Sequence, residues 1–143
     1  MMDELSDDIF DRVTELSEEG NLAMEREDFA QAIAIWQDAL GLLPAPQLKW
    51  GAAMWLHGSI GDAQRQLGDV EGGLSSFQSA AATYDGAHNA FIQYGLGVSL
   101  IDLGRDEEAT DPLLRAYMLD GTDIFDDGAP RYLQHLIDRR LIA

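Results

Sequence analysis

Three copies of one spacing run along this sequence, and a chain patterned in this way folds as a stack of like units rather than around a single irregular core. Gly20, Glu27-Asp28, Ala32, Trp36 and Ala39 return as Gly61, Gly68-Asp69, Gly73, Phe77 and Ala80. They return again as Gly97, Gly104-Arg105, Ala109, Leu113 and Ala116. Every anchor moves by 41 residues from the first copy to the second and by 36 from the second to the third, so each unit keeps its internal register.

On both sides of the central turn, apolar residues recur at three- and four-residue spacing, the pattern of two amphipathic helices. Gly68 and Gly104 suit the left-handed backbone that ends a helix, and Asp28 and Asp69 suit the start of the next. Gly20, Gly61 and Gly97 fall mid-helix, where glycine costs about 1 kcal/mol against alanine. Close packing accounts for that cost. The second helix presses a small-large-small set (Ala32, Trp36, Ala39; Gly73, Phe77, Ala80; Ala109, Leu113, Ala116) toward the first, and a side chain at the glycine would hold the two apart.

The small-large-small spacing, the mid-helix glycine, the turn and the closing Pro44 resemble the tetratricopeptide repeat, whose usual period is about 34 residues. The resemblance covers roughly residues 13 to 121. It implies an all-α helical solenoid of three helix-turn-helix repeats, near 13–44, 54–85 and 90–121, with a C-terminal cap over 122–143 and the whole of 1–143 as one domain. His57 stands where an aromatic is usual and is expected in the core, and Gly73 replaces an alanine. The longer first spacing is expected to extend the first helix of repeat two across Ala45 to Ala53, after the turn Pro44-Ala45-Pro46, since proline is well tolerated in a first helical turn. Pro112 falls inside the sixth helix and is expected to bend it or delay its start. Pro130 to Arg140 is expected to form a helix covering the last repeat, as solenoids require, with Arg139 and Arg140 complementing the negative end of its dipole.

Composition narrows the function classes. At 143 residues and 46% hydrophobic content the chain has the material for one folded unit. It has no cysteine, which excludes a disulfide framework, a zinc-thiolate site and a thiol nucleophile. Residues Met1 to Asp8 are acidic where a signal or transit peptide is basic, and no apolar run approaches a membrane span, so a cytoplasmic protein with no membrane partner is expected. A net charge of −17, from 26 acidic and 9 basic residues, repels nucleic acid phosphates and anionic membranes and steers a basic protein inward. Solubility alone accounts for such acidity equally well. The N-terminal cluster Asp3, Glu4, Asp7, Asp8, Asp11, Glu15, Glu18 and Glu19 is a solvated helix face or a docking surface for arginines and lysines.

No residue constellation calls for catalysis. His57, His88 and His135 lie in different elements without the i, i+4 pairing of a zinc helix. Asp120 to Gly128 lacks the ligand spacing and closing glutamate of a calcium loop. No catalytic residue, metal or cofactor is expected.

The resemblance implies a concave groove lined by the first helix of each pair. The helical period places Thr14, Ser17, Asn21 and Met24 there from repeat one, Trp55, Ser59, Asp62 and Gln66 from repeat two, and Phe91, Tyr94, Val98 and Ile101 from repeat three. Asn21, Trp55, Ser59, Asp62, Phe91, Tyr94 and Val98 are the candidate partner-binding residues, with Trp55, Phe91 and Tyr94 as exposed aromatic anchors. The C-terminal helix or a neighbouring subunit could instead fill this groove. Repeats that clamp acidic chaperone tails carry basic and amide side chains where this chain has Ser17, Ser59, Phe91 and Gly95, with only Asn21 matching, so that use is not expected. The segment Leu114 to Phe125, followed by Pro130 to Leu133, looks like small stand-alone bacterial repeat proteins associated with polymorphic-toxin loci. That likeness implies an immunity or inhibitor protein neutralising a basic bacterial toxin, such as a nuclease. The alternative is a general adaptor or chaperone that holds a peptide segment in the groove; an enzyme ranks last.

Overall fold

Ser6 opens the first helix by accepting a hydrogen bond from the Ile9 amide (3.3 Å), and Asp7 and Asp8 sit in its positive first turn. In the computed structural model, which describes residues 4–143, the helices are α1 (Asp7–Glu25), α2 (Phe29–Gly41), α3 (Gly51–Gln66), α4 (Val70–Ala81), α5 (Ala90–Asp102), α6 (Asp106–Asp120) and α7 (Pro130–Asp138). Short 3-10 turns at Gln47–Lys49, Gly86–His88 and Asp123–Phe125 precede α3, α5 and α7 respectively. The capping helix α7 therefore enters as a fourth first helix would. The described residues are all-α.

The turns inside the three pairs share one backbone solution. Glu27, Gly68 and Gly104 take φ of 59°, 86° and 77°, the left-handed conformation that closes a helix. Asp28 and Asp69 then cap the following helix, accepting from the amides of Gln31 (3.4 Å) and Gly72 (2.9 Å). Arg105 offers no acceptor; its guanidinium bonds the Glu108 carboxylate at 2.6 Å instead.

The small-large-small register explains how each pair closes. A Cβ on Gly61 would lie 2.9 Å from the Phe77 ring, one on Gly97 would lie 2.5 Å from Leu113, and one on Gly20 would overlap the Trp36 indole. Within the stack, α2 packs on α3, α4 on α5 and α6 on α7. The first helices also meet one another, α1 with α3 and α3 with α5, more closely than the second helices do, so the stack curves with α1, α3 and α5 on its inner side. Val13, Leu16, Trp36, Leu56 and Ile60 form the core at the N-terminal end; Leu74, Val98, Leu113, Phe125, Tyr132 and Leu136 form it at the other.

Several expectations are corrected. The residues after Pro44 do not lengthen α3 back to Ala45: Gln47–Lys49 form a separate turn and the helix starts at Gly51. Trp50 accounts for the break, since its indole N–H bonds the Pro44 carbonyl at 2.8 Å and folds the linker back on α2. Pro112 causes no late start; α6 runs through it from Asp106, with the proline itself buried. His57 is half-buried rather than in the core, and burial lowers its pKa. In the acidic N-terminal cluster, Asp3 lies outside the described residues; Asp7, Asp8, Asp11, Glu18 and Glu19 are exposed.

Candidate partner-binding groove

The inner face is not one continuous trough but two compartments. The first, about 250 Å³, lies between α1 and α3 and is lined by Ser17, Asn21, Trp36, Trp55, Leu56 and Ser59. Its wall is tied to the core: the Trp36 indole N–H donates to the Ser17 carbonyl (3.3 Å), and the Ser17 hydroxyl donates to the Val13 carbonyl (2.8 Å). The second, about 460 Å³, lies between α3 and α5 and is closed at one side by the segment entering α7. Asp62, Arg65 and Gln66 line it from α3, Phe91, Tyr94, Gly95 and Val98 from α5, and Ile124, Asp127, Gly128, Ala129 and Tyr132 from the tail. Trp55 and Phe91 stack across the boundary, ring centroids 6.3 Å apart and planes within 18° of parallel.

All seven candidate residues fall on these two compartments: Asn21, Trp55 and Ser59 on the first, Asp62, Phe91, Tyr94 and Val98 on the second. Their accessibility differs from expectation. Trp55 is 53% exposed, but Phe91 and Tyr94 are half-buried, and Val98, at 3%, forms part of the floor. Tyr94 is covered because the tail folds onto it: Phe125 and Tyr132 pack edge-on against its ring at 5.2 and 6.1 Å. The chain itself thus occupies part of the repeat-three groove. Of the remaining groove positions, Ser17 and Gln66 line the compartments, whereas Thr14, Met24 and Ile101 line neither.

The tail is held by a polar cluster that the repeat pattern gives no hint of. Arg65 of α3 donates to Asp102 of α5 (2.9 Å), to Ser99 Oγ (3.2 Å) and to the Tyr132 hydroxyl (3.4 Å). Tyr132 in turn donates to both carboxylate oxygens of Asp102 (2.8 and 2.9 Å), and Arg131 pairs with the same carboxylate. Burial pushes the Asp102 carboxyl upward, but the hydrogen bonds from Arg131, Tyr132 and Arg65 outweigh it and leave its pKa below the ordinary value. Asp62 goes the other way: burial raises its pKa, and the Arg65 charge offsets only part of that. Burial, helped by the neighbouring Tyr132, pushes the Tyr94 hydroxyl up to about 12.

From α3 and the tail, the lining residues missed by sequence reasoning are Arg65, Ile124, Asp127, Gly128, Ala129 and Tyr132. Ile124 and Phe125 carried a usable signal, an apolar pair inside an otherwise acidic run. Arg65 carried none, because its partners lie 34 to 67 residues away in sequence. Asp123, Asp126 and Asp127 do not gather into a metal-holding group among the described residues. No described helix is long and apolar enough to cross a membrane.

Comparison with known proteins adds to this geometry. A family model for the tetratricopeptide repeat matches residues 59–132, slightly more than half of the chain. The crystal structure of the Sgt2 TPR domain from Aspergillus fumigatus is similar in fold, with a TM-score of 0.67 over 90% of this chain and 78% of that chain, at 20% sequence identity. No curated protein matches the sequence.

Proposed function

Because the chain belongs to the tetratricopeptide repeat family, a non-catalytic scaffold for protein–protein interaction, we propose that it is an acidic inhibitor protein that holds a basic partner, of the bacterial toxin type, on the inner face of α1, α3 and α5. In this proposal residues 1–143 act as one unit, with repeats near 13–44, 54–85 and 90–121 and the cap over 122–143.

One observation carries the choice of a basic partner. Six of the eight arginines already pair with carboxylates of the chain itself, Arg12, Arg65, Arg105, Arg115, Arg131 and Arg139, so the acidic excess is what the molecule presents outward. On the inner face the same holds locally, since Arg65 is turned to Asp102 while Asp62 and Asp127 line the second compartment. Such a surface raises the association rate of a cationic protein and makes binding salt-dependent. The toxin-inhibitor reading is supported by the likeness of Leu114 to Phe125 and Pro130 to Leu133 to small bacterial repeat proteins from toxin loci. A general adaptor is supported by exposed Trp55 beside an open compartment, which suits a peptide anchor.

The test is co-expression with the product of the neighbouring gene, followed by tagged purification at low and high salt. Recovery of one basic protein in near-equal amount, with its toxicity suppressed and its binding weakened by salt, supports the inhibitor. Retention of many unrelated extended segments, insensitive to salt but lost in Trp55→Ala, moves the assignment to the adaptor. Binding indifferent both to salt and to Trp55→Ala overturns the inner-face proposal.

A further inference from the structure

Asp62 is half-buried on the inner side of α3, yet its carboxylate accepts no hydrogen bond from the described residues. The nearest cation is turned away from it, because the Arg65 guanidinium is engaged by Asp102, Ser99 and Tyr132. Its oxygens remain open to solvent, so an incoming charged donor would replace water on a carboxylate that the surrounding protein has partly desolvated. Beside it stand Phe91 and Tyr94, and Asp127 sits exposed at the mouth. Among the charged residues lining the cavity, Asp62 and Asp127 face one guanidinium, Arg65, which is already engaged by Asp102, so the lining presents an acidic excess.

From this arrangement we infer that the compartment between α3, α5 and the tail is a subsite for one arginine side chain of the protein partner, its guanidinium bonded to Asp62 and lying against the Phe91 and Tyr94 rings. This deepens the proposed function and rests on it, adding the chemistry of a single contact. Arginine fits better than lysine for three reasons. Its planar group stacks on aromatic faces, it forks to a carboxylate, and it is more weakly hydrated than an ammonium, so entering a half-buried, aromatic-walled space costs it less. The volume of about 460 Å³ lies in the range of small-ligand pockets, about 300–1,000 Å³, and leaves room for the stem and an adjoining backbone. The Tyr94 hydroxyl stays protonated across the working pH range and offers a lone pair to a second guanidinium N–H.

The experiment is a titration of the ¹⁵N-labelled full chain with N-acetyl-arginine N-methylamide, with the uncharged citrulline analogue as control, followed by amide chemical shifts. Saturable shifts at Asp62, Phe91, Tyr94 and Gly128, absent with citrulline, are expected. Asp62→Asn should weaken that binding by about tenfold or more, the loss of one charge-assisted contact. The variant keeps the side-chain shape and removes a poorly solvated charge, so its melting temperature should hold or rise, which separates lost binding from lost folding. Equal response to citrulline, shifts confined to the exposed acids of α1, or undiminished binding in Asp62→Asn would each overturn the subsite. Failure here, with a salt-dependent partner still bound through Trp55, leaves the proposed function standing. A bound arginine derivative alongside a partner indifferent to salt and to Trp55 would do the reverse.

Discussion

The two compartments of the inner face are built from equivalent helices and yet are supported differently. The one between α1 and α3 is walled by two repeats alone, and its deepest contact, Trp36 against Gly20 and the Ser17 carbonyl, belongs to the repeat packing itself. The one between α3 and α5 needs the tail: Ile124 to Tyr132 forms a wall, and Asp102 fastens it through Tyr132 and Arg131. A repeat scaffold thus supplies one compartment by periodicity and a second by departing from it. The first should tolerate loss of the tail, and the second should not.

Core deletions at the two ends test this most forcefully. Trp36→Ala removes a nearly fully buried indole and is expected to cost about 4 kcal/mol, and Leu136→Ala, with no exposed surface in the native state, about 3 kcal/mol. Urea unfolding gives the magnitudes, and hydrogen exchange shows where they act. Because each repeat contacts only its neighbours, Leu136→Ala should release protection in α7 and at its contacts on α6 while α1 and α2 keep theirs. Equal loss along the whole chain would mean that the two ends are one cooperative unit and that the contrast is false.

The tail clamp comes next. Asp102→Asn leaves Arg65 short of its carboxylate and is expected to cost about 2–3 kcal/mol, below the figure for a fully buried pair because Arg131 is largely exposed. Its pH dependence has a definite sign. The folded pKa of Asp102 lies below the ordinary 3.8, so its contribution is complete above that value and is lost as pH falls through the folded pKa. Asp62 has a raised folded pKa, so its charge opposes folding above that value, and the cost is relieved on acidification. Wild type should therefore lose tail order in acid below about pH 4, and Asp102→Asn should lack that step. An unchanged acid transition in the variant would remove Asp102 from the clamp.

Trp55 separates binding from stability. It is half exposed, with its ring stacked on Phe91, so Trp55→Ala should change folding stability little while weakening partner binding by about 2 kcal/mol, the usual size for an aromatic anchor. Tyr94 is unsuitable for the same purpose, since its loss would also unpack Phe125 and Tyr132. Calorimetric titration of the identified partner gives the number. Unaltered affinity in a folded Trp55→Ala protein would empty the first compartment of its role.

What the sequence disclosed divides along the same boundary. Helix pairing, the turns and the glycine contacts at Gly20, Gly61 and Gly97 were legible because they repeat, and three copies of a weak signal reinforce one another. The groove face was legible once the resemblance named the first helices and the helical period picked out their residues, but the period fixes direction and not accessibility. Phe91, Tyr94 and Val98 point inward as the period requires, but Tyr94 is covered by a segment outside the period. Linker geometry was hidden for a similar reason. Whether the residues after Pro44 extend α3 or form a separate turn depends on Trp50 finding the Pro44 carbonyl, a contact without periodic precedent.

The smallest expected effect lies in the turn of the first pair, where the repeats themselves are unequal. Glu27 holds φ of 59° at the position that Gly68 and Gly104 occupy in the other two turns. A residue with a Cβ is disfavoured there by roughly 1 kcal/mol, and glycine is not. Glycine also loses more backbone entropy on folding, which returns part of the gain. Glu27→Gly is therefore expected to stabilise the α1–α2 hairpin by about 0.5 kcal/mol, a rise in melting temperature of a degree or two for a chain of this size. It removes one exposed carboxylate from the outside of the turn and touches neither compartment. Destabilisation would show that the Glu27 side chain supports the turn by a contact stronger than the backbone cost. Stabilisation of the N-terminal pair alone, with exchange in α5 to α7 unchanged, would confirm that the two ends of the stack respond independently.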